Sequence, residues 1–455
     1  MRTSRLLISL GVISSLLLGG SGLIHAEGFT ASGKSIEQRL AELEKEVQRL
    51  KRLKEVDQEI QIKRDSETPI VVAGKEGFSL KSRDSAFILR LRGQVQADGR
   101  FFIDDNTSSG SNTYLLRRVR PTFEGTLFKY FDFRLMPDFG GGSVSLQDAY
   151  IDFKYWPKAS LRVGKFKSPL GLERRQTDAN KLFVEDSLAS NLVPNRDVGI
   201  DLHGELFDGV LNYDAGYFNG VADGTSADTD NHDDKEFVGR IFMEPFKNSS
   251  EDWLSGLGVG IAGSAGASHG SSTALNLPTF RSGGQQTIFS YSSTTLSDGG
   301  RFRIAPQAYY YNGPLGFMGE GVVSSQRFKS GPFATRLTHW AWQIAGSYVL
   351  TGENVSYNGI VPRNNFDIDK KTWGAFELAS RLSWLNLDHD AFPRYASSAS
   401  AVERAIAWTV GLNWYLNKNL KFMTDFESTF FDGGAAAGGN RKNENAILAR
   451  FQLGF

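Results

Sequence analysis

The sequence lacks cysteine, net charge and any long apolar run beyond its first residues, and each absence excludes a class of protein. With no cysteine in 455 residues, the chain has no disulfide framework, no thiolate metal site and no lipid-modified N-terminal cysteine. The 51 basic and 51 acidic residues balance, so no charge excess predicts binding to nucleic acid or to an anionic membrane surface. The abundance of glycine (49) and phenylalanine (33), against only 13 prolines, favours a strand-rich protein with many turns.

Residues 1–26 have the features of an export signal. Arg2 and Arg5 form the charged region, residues 6–18 the apolar core, and residues 24–26 a plausible cleavage site. The core is too short for a membrane-spanning helix, which needs ~20 apolar residues, and no later run reaches that length. The exported chain is therefore soluble, or it crosses a membrane as strands.

The stretch from Ser35 to about Arg64 is predicted to be a helix with one narrow apolar seam. The seam residues recur at coiled-coil spacing, with one three-residue slip: Ile36, Leu40, Leu43, Val47, Leu50, Leu53, Val56 and Ile60. Such a seam needs a partner, either another subunit or another part of this chain. We favour self-association, because the chain has no second heptad region. Residues 65–77 are predicted to be a linker, so residues 27–80 would form a periplasmic coiled-coil helix and its linker.

From Phe87 the apolar period changes to 2, which is the period of a strand. Phe87, Leu89 and Leu91 alternate with polar residues that include Arg90 and Arg92, and about sixteen such stretches follow one another. We place the strands at 87–103, 113–128, 131–139, 145–156, 160–167, 198–207, 209–219, 235–245, 256–265, 301–311, 314–324, 338–350, 372–386, 403–416, 419–431 and 445–455. Tilted strands of ~10 residues suffice to cross a bilayer.

Connection lengths and aromatic residues indicate which kind of sheet these strands form. Tight turns follow the second, fourth, sixth, tenth and fourteenth strands, and most other connections are long, with residues 351–371 a long exception on the tight side. A soluble β-sandwich is disfavoured by the strand number and by tryptophans that recur on the apolar face, such as Trp340 and Trp408. The chain also ends on Phe455, as barrels inserted by the outer-membrane assembly machinery typically do. Residues 81–455 are therefore predicted to be an all-β, 16-stranded antiparallel transmembrane barrel, located in the outer membrane of a Gram-negative bacterium and in contact with its lipid.

The polar face of these strands would line an aqueous channel, since side chains fill only barrels of about eight strands. The lumen cationic strip predicted from this parity is Arg90, Arg92, Arg100, Arg118, Arg120 and Arg134. A strip of cations raises the local concentration of anions. Carboxylates share the same parity, and they either orient these arginines or cancel anion selectivity.

One polar stretch, at about residues 168–197, carries cations next to a chain break. Four basic residues surround the break at Ser168-Pro169: Lys165, Lys167, Arg174 and Arg175. In a barrel this stretch could fold into the lumen and form an anion-binding constriction; the alternative is an exposed surface loop. The histidines lack metal-ligand spacing, so we predict no catalytic residue, no metal, no cofactor and no enzyme activity.

Several segments together resemble the phosphate-selective porin family of Gram-negative bacteria, from about Phe87 to Phe455. They are RRVRPTFEGTLFKYFDFRLMPDFG, LQDAYIDFKYWP, LRVGKFKSPLGLE, YVLTGENVSYNGIVPRNNFD and WGAFELASRLSWLNLD. The resemblance implies a homotrimer with the third external loop folded inward, and passive diffusion of small anions, with phosphate or polyphosphate bound at the constriction residues. The alternatives are a general or sugar-passing porin with weak ion selectivity, and a structural barrel that tethers the outer membrane.

Overall fold

A computed structural model describes residues 35–74, 77–103, 110–156, 158–230, 232–249 and 253–455, with the side chains of residues 65–67 excepted. The signal peptide predicted over residues 1–26 lies outside this part of the chain. Two compact units are distinguished, Met1–Ser66 and Glu67–Phe455.

All but the last residue of one long helix, α1 (Ile36–Glu67), belongs to the first unit. Ser35 and Gln38 bond reciprocally at its start: Ser35 N–H donates to Gln38 Oε1 (3.2 Å) and Gln38 N–H to Ser35 Oγ (3.3 Å). This capping box explains why the helix begins here. The seam is uncovered, with Ile36 85% and Leu43 64% exposed. Among the described helices, none combines the length and apolarity needed to cross a membrane.

The segment predicted to be a linker contains a β-hairpin, which corrects that expectation. Its strands are Ile70–Gly74 and Gly77–Lys81, and the second pairs with the start of the first barrel strand, Phe78 opposite Leu91. The Phe455 ring lies 6.3 Å from that of Phe78, between centroids. The runs IVVAG and GFSLK are too short to show the period of a strand in the sequence. Their pairing with each other and with the first barrel strand is visible only in the fold.

The second unit confirms the predicted barrel of sixteen antiparallel strands. In chain order these are β1 (Ile88–Phe102), β2 (Thr113–Leu127), β3 (Phe131–Asp138), β4 (Ser145–Trp156), β5 (Ala159–Lys167), β6 (Arg196–Leu206), β7 (Leu211–Phe218), β8 (Glu236–Met243), β9 (Leu257–His269), β10 (Thr295–Asn312), β11 (Leu315–Ser330), β12 (Phe333–Val349), β13 (Ala375–Asn386), β14 (Val402–Tyr415), β15 (Leu420–Gly433) and β16 (Glu444–Gly454). Each pairs with the next, and β16 closes on β1.

The two faces of the barrel wall alternate as the period of 2 requires. In β12, Trp340 and Ile344 point outward and are 37% and 60% exposed, whereas His339, Ala341 and Gln343 point inward and are buried. A wall that is apolar outside and polar inside can face lipid and water at once.

One connection is much shorter than the predicted strands imply. Residues 325–337 were expected to be a loop, but β11 and β12 run on to a two-residue turn at Gly331-Pro332. The apolar pattern does not predict these ends of β11 and β12, because the outward positions near the turn are basic: Arg327, Lys329 and Arg336. A shorter hairpin, Thr279–Arg281 with Thr287–Ser290, lies in the connection between β9 and β10.

Candidate anion constriction

Residues 168–195, which we call the inner loop, cross the barrel interior and are fastened to its far wall. The loop contains a short helix, α2 (Leu172–Arg175). On β11, the Glu320 carboxylate accepts the N–H groups of Leu172 (2.7 Å) and Glu173 (3.1 Å). On β15, Asp425 accepts the N–H of Val184 at 2.6 Å. These carboxylates project from lumen-facing positions, so the loop lies inside the barrel.

Apolar burial and further polar contacts fix the same loop. Leu170 and Leu192 are fully buried and pack with Phe218 and Val238 of the wall. Burying a leucine side chain contributes about 1.5–3 kcal/mol. Long wall side chains bond loop carbonyl oxygens, as when Lys421 Nζ donates to the Lys181 carbonyl at 2.7 Å. The loop is thus held by many weak contacts distributed around the barrel.

Between the inner loop and strands β1–β6 lies a cavity of about 200 Å³. Its walls carry six basic and two acidic side chains, together with polar, aromatic and sulfur-bearing groups. The basic residues are Arg120, Arg134, Arg162, Lys167, Arg175 and Arg196, and the acidic ones are Asp148 and Asp178. The cavity therefore has an excess of positive charge, although the barrel as a whole does not.

Asp178 of the inner loop is surrounded by cations. Its carboxylate makes a close contact with Arg120 and has four further basic groups within ion-pair distance: Arg118 (3.6 Å), Lys167 (3.6 Å), Lys181 (3.4 Å) and Arg196 (3.9 Å). Burial alone would raise the pKa of Asp178, but the surrounding positive charges hold this pKa well below its usual range. The Asp178 carboxylate thus lies where the surrounding cations could also bind an oxyanion.

A second loop carboxylate, Glu185, is held by arginines of the wall. Arg117 approaches it at 2.7 Å and Arg100 at 2.9 Å. Burial opposes ionisation of Glu185, but the Arg117 charge and its hydrogen bond outweigh burial, so the pKa of this carboxyl is lowered. These ion pairs orient the loop, and Glu185 is not among the residues that line the cavity.

The four predicted constriction residues separate into two pairs. Lys167 and Arg175 line the cavity; Lys167 Nζ donates to the Gln176 carbonyl oxygen at 2.7 Å, and Arg175 lies 3.2 Å from Asp214. Lys165 lies opposite Ala149 in the ladder and is buried, and it is not among the residues that line the cavity; its Nζ bonds the Leu146 carbonyl oxygen (2.6 Å) and Asp228. Arg174 turns to the Ser190 carbonyl (2.8 Å) and to Asp186 (3.2 Å).

The six residues of the predicted cationic strip are also placed differently from one another. Arg120 and Arg134 line the cavity, and Arg118 adjoins it through Asp178. Arg100 holds the inner loop, and Arg92 is paired with Glu124 at 2.6 Å. Arg90, at the short-turn end of β1, has no carboxylate within ion-pair distance among the residues that the structure describes.

Sequence reasoning missed several side chains that shape this site. Arg117 turns toward the lumen because a β-bulge shifts the register: Gln96 pairs with Arg118 but Ala97 with Leu116. Arg162 lies 2.6 Å from Asp152 and stacks over the ring of Tyr150 at 4.7 Å. Strict parity along β5 could have found Arg162, whereas nothing in the sequence signals the bulge. Across the described ranges, no group of three or more His, Cys, Asp or Glu side chains could hold a metal ion.

Comparison with known proteins agrees with this geometry. The family described as "Phosphate-selective porin O and P" matches residues 89–455. The chain belongs to this porin family. It is therefore a non-enzymatic channel of the Gram-negative outer membrane, and its barrel is that of a porin.

Individual relatives are distant. Porin O of Pseudomonas aeruginosa is 22% identical over 383 residues, which cover 77% of this chain and 85% of that protein. Among solved structures, the outer-membrane channel DcaP of Acinetobacter baumannii superposes with a TM-score of 0.53 at 12% identity, covering 82% of this chain and 99% of DcaP. An anion-selective porin from Comamonas acidovorans gives 0.51 at 12% identity, covering 81% and 99%. At such identities the structures share the fold.

Proposed function

We propose that this porin lets small anions diffuse passively across the outer membrane, and that phosphate or polyphosphate is the anion it favours. The observation that carries the proposal is the cavity beside the inner loop, with its six basic and two acidic side chains. A passing anion loses part of its hydration shell there and gains successive cationic partners. Cations in a confined space of low dielectric also raise the local anion concentration.

The carboxylates of the barrel are compatible with anion passage because of where they lie. Glu320 and Asp425 accept backbone N–H groups of the inner loop on the side away from the cavity. Glu124 and Asp152 are each paired with an arginine, at 2.6 Å. Residues 65–455 contain 40 basic and 43 acidic residues, and this slight acidic excess therefore does not determine the charge that a permeating ion meets.

Passage through the cavity would proceed by exchange of partners. Arg120, Lys167 and Arg196 share Asp178, and an oxyanion entering the cavity would compete with that carboxylate for the same donors. Paired guanidinium groups bind oxyanions bidentately, whereas a lysine adds a mobile point charge. A site whose cations are already partly satisfied binds an anion weakly enough to release it, as a diffusion channel requires.

Phosphate block of chloride current tests the substrate. Purified protein is inserted in a planar bilayer, single-channel current is recorded in KCl, and inorganic phosphate is added at constant pH and ionic strength. We expect graded block that sulfate reproduces less well. If phosphate does not block the current but anion selectivity is preserved, the protein is an anion channel that does not favour phosphate. If ion selectivity is absent, a general pore is favoured. If no current is observed, a structural barrel is favoured.

We further propose that the porin is a homotrimer and that the seam of α1 contributes to association on the periplasmic side. The support is the exposed coiled-coil seam, which has Leu50 56% and Val47 48% exposed.

A further inference from the structure

Two arginines face each other on the outer surface of the barrel, near its long-loop end. Arg327 of β11 and Arg336 of β12 are directly paired across the ladder, so their side chains share one face. That face is the outward one, since Arg327 is 55% exposed and its neighbour Phe328 is buried inside. Like charges directly opposite each other destabilise a sheet, so this pairing needs an explanation outside the barrel wall.

Among the residues that the structure describes, too few carboxylates lie near this surface to neutralise it. Asp298 lies 3.4 Å from Arg327 and 3.0 Å from Lys329, so it serves both. Arg336 has no carboxylate within ion-pair distance in the described residues; its guanidinium lies 5.7 Å from the centre of the Phe302 ring. We call Arg327, Lys329 and Arg336 the rim cation cluster.

Aromatic residues give the depth of this cluster in the membrane. The outward-facing Trp340 stacks on Trp384 with centroids 6.2 Å apart and planes 11° from parallel, and tryptophans of this kind mark the interface between lipid and water. Arg336 precedes Trp340 by four residues, or ~13 Å along a strand. Because the long loops of such barrels are extracellular, the cluster lies at the headgroup level of the outer leaflet.

We infer that the rim cation cluster binds the phosphorylated headgroup of the outer-leaflet glycolipid, lipopolysaccharide. Its sugar phosphates supply the anion that Arg336 lacks, and they would separate the charges of Arg327 and Arg336. The acyl chains of the same lipid would lie on the aromatic surface formed by Phe302 and Trp340. This site faces lipid and is distinct from the cavity beside the inner loop, so it does not depend on the proposed substrate.

The test measures binding of fluorescent bisphosphorylated lipid A to the full-length porin in micelles. Lys371, exposed in the connection between β12 and β13 at the other rim, provides the matched control Lys371→Gln. Arg327→Gln combined with Arg336→Gln should weaken binding about tenfold or more, while the control and the single-channel conductance stay unchanged. Asp298→Asn, which removes the shared carboxylate, should tighten binding.

Each arm has an outcome that overturns the inference. Unchanged affinity in the double variant, equal loss in the control, or equal binding of dephosphorylated lipid A would contradict a headgroup phosphate site. Displacement of lipid A by millimolar inorganic phosphate would indicate a free-phosphate site instead. If the double variant does not fold, weaker or unchanged binding by Asp298→Asn overturns the inference by itself.

Discussion

Lys167 Nζ lies 3.6 Å from Asp178 Oδ1, so the last residue of β5 reaches the inner loop by an ion pair. The same carboxylate is also within reach of Arg118, Lys181 and Arg196. Asp178 consequently has two roles. It holds the loop to the barrel wall, and it competes with an anion in the cavity for the same basic side chains.

Removal of the Asp178 carboxylate should increase phosphate affinity. In Asp178→Asn the surrounding cations lose one shared counter-ion, and we expect phosphate to block chloride current at a concentration lower by about tenfold. The control is Asp132→Asn, which opens a lumen ion pair with Lys154 (2.6 Å) away from the cavity. Weaker block in Asp178→Asn, with the loop still in place, would show that Asp178 does not occupy the anion position.

Lys165 and Lys167 look equivalent in the sequence, and the structure separates them. Lys167→Gln should lower the chloride-to-potassium permeability ratio and weaken phosphate block, because this side chain lines the cavity. Lys165→Gln should leave both nearly unchanged, since its amine is bonded to Leu146 and Asp228 and does not line the cavity. Equal effects of the two substitutions on reversal potential would contradict this assignment.

The sequence carries more information on the wall than on the constriction. Alternation places the strands within a few residues, because every wall position is either in lipid or in water. The inner loop has no such constraint: its path depends on Glu320 and Asp425, more than a hundred residues away. Arg117 was missed for a related reason. A β-bulge turns its side chain from the outer face of the barrel to the lumen, and the alternation of apolar and polar residues does not show this bulge.

The pH dependence of selectivity follows from the lowered pKa of Asp178. A carboxyl whose folded-state pKa is depressed stabilises the fold fully above its unfolded pKa of about 4, and this contribution is lost as the pH falls further. Between about pH 7 and pH 5 this group therefore stays ionised, and we expect a constant reversal potential in KCl. Anion preference should rise only at a pH well below 4, where this carboxyl becomes protonated, and Asp178→Asn should not show the rise. A shift between pH 7 and 5 that Asp178→Asn abolishes would refute the lowered pKa of Asp178.

Self-association of α1 can be tested directly because the chain has no native cysteine. Leu43→Cys, on the seam, should form disulfide-linked subunits under mild oxidation of the assembled porin. Lys45→Cys, on the far side of the helix, is the matched control and should cross-link much less. Gel electrophoresis without reductant reads the result; equal yields from both positions would argue against a seam between subunits.

We propose that the cavity beside the inner loop makes the channel prefer anions. The most direct measurement is the zero-current potential of single channels in a KCl gradient, for the native protein and for Lys167→Gln combined with Arg175→Gln. We expect a native potential near the chloride equilibrium value and a marked shift toward zero in the double variant. A native potential at zero or on the potassium side would contradict it, as would a double variant that keeps the native selectivity.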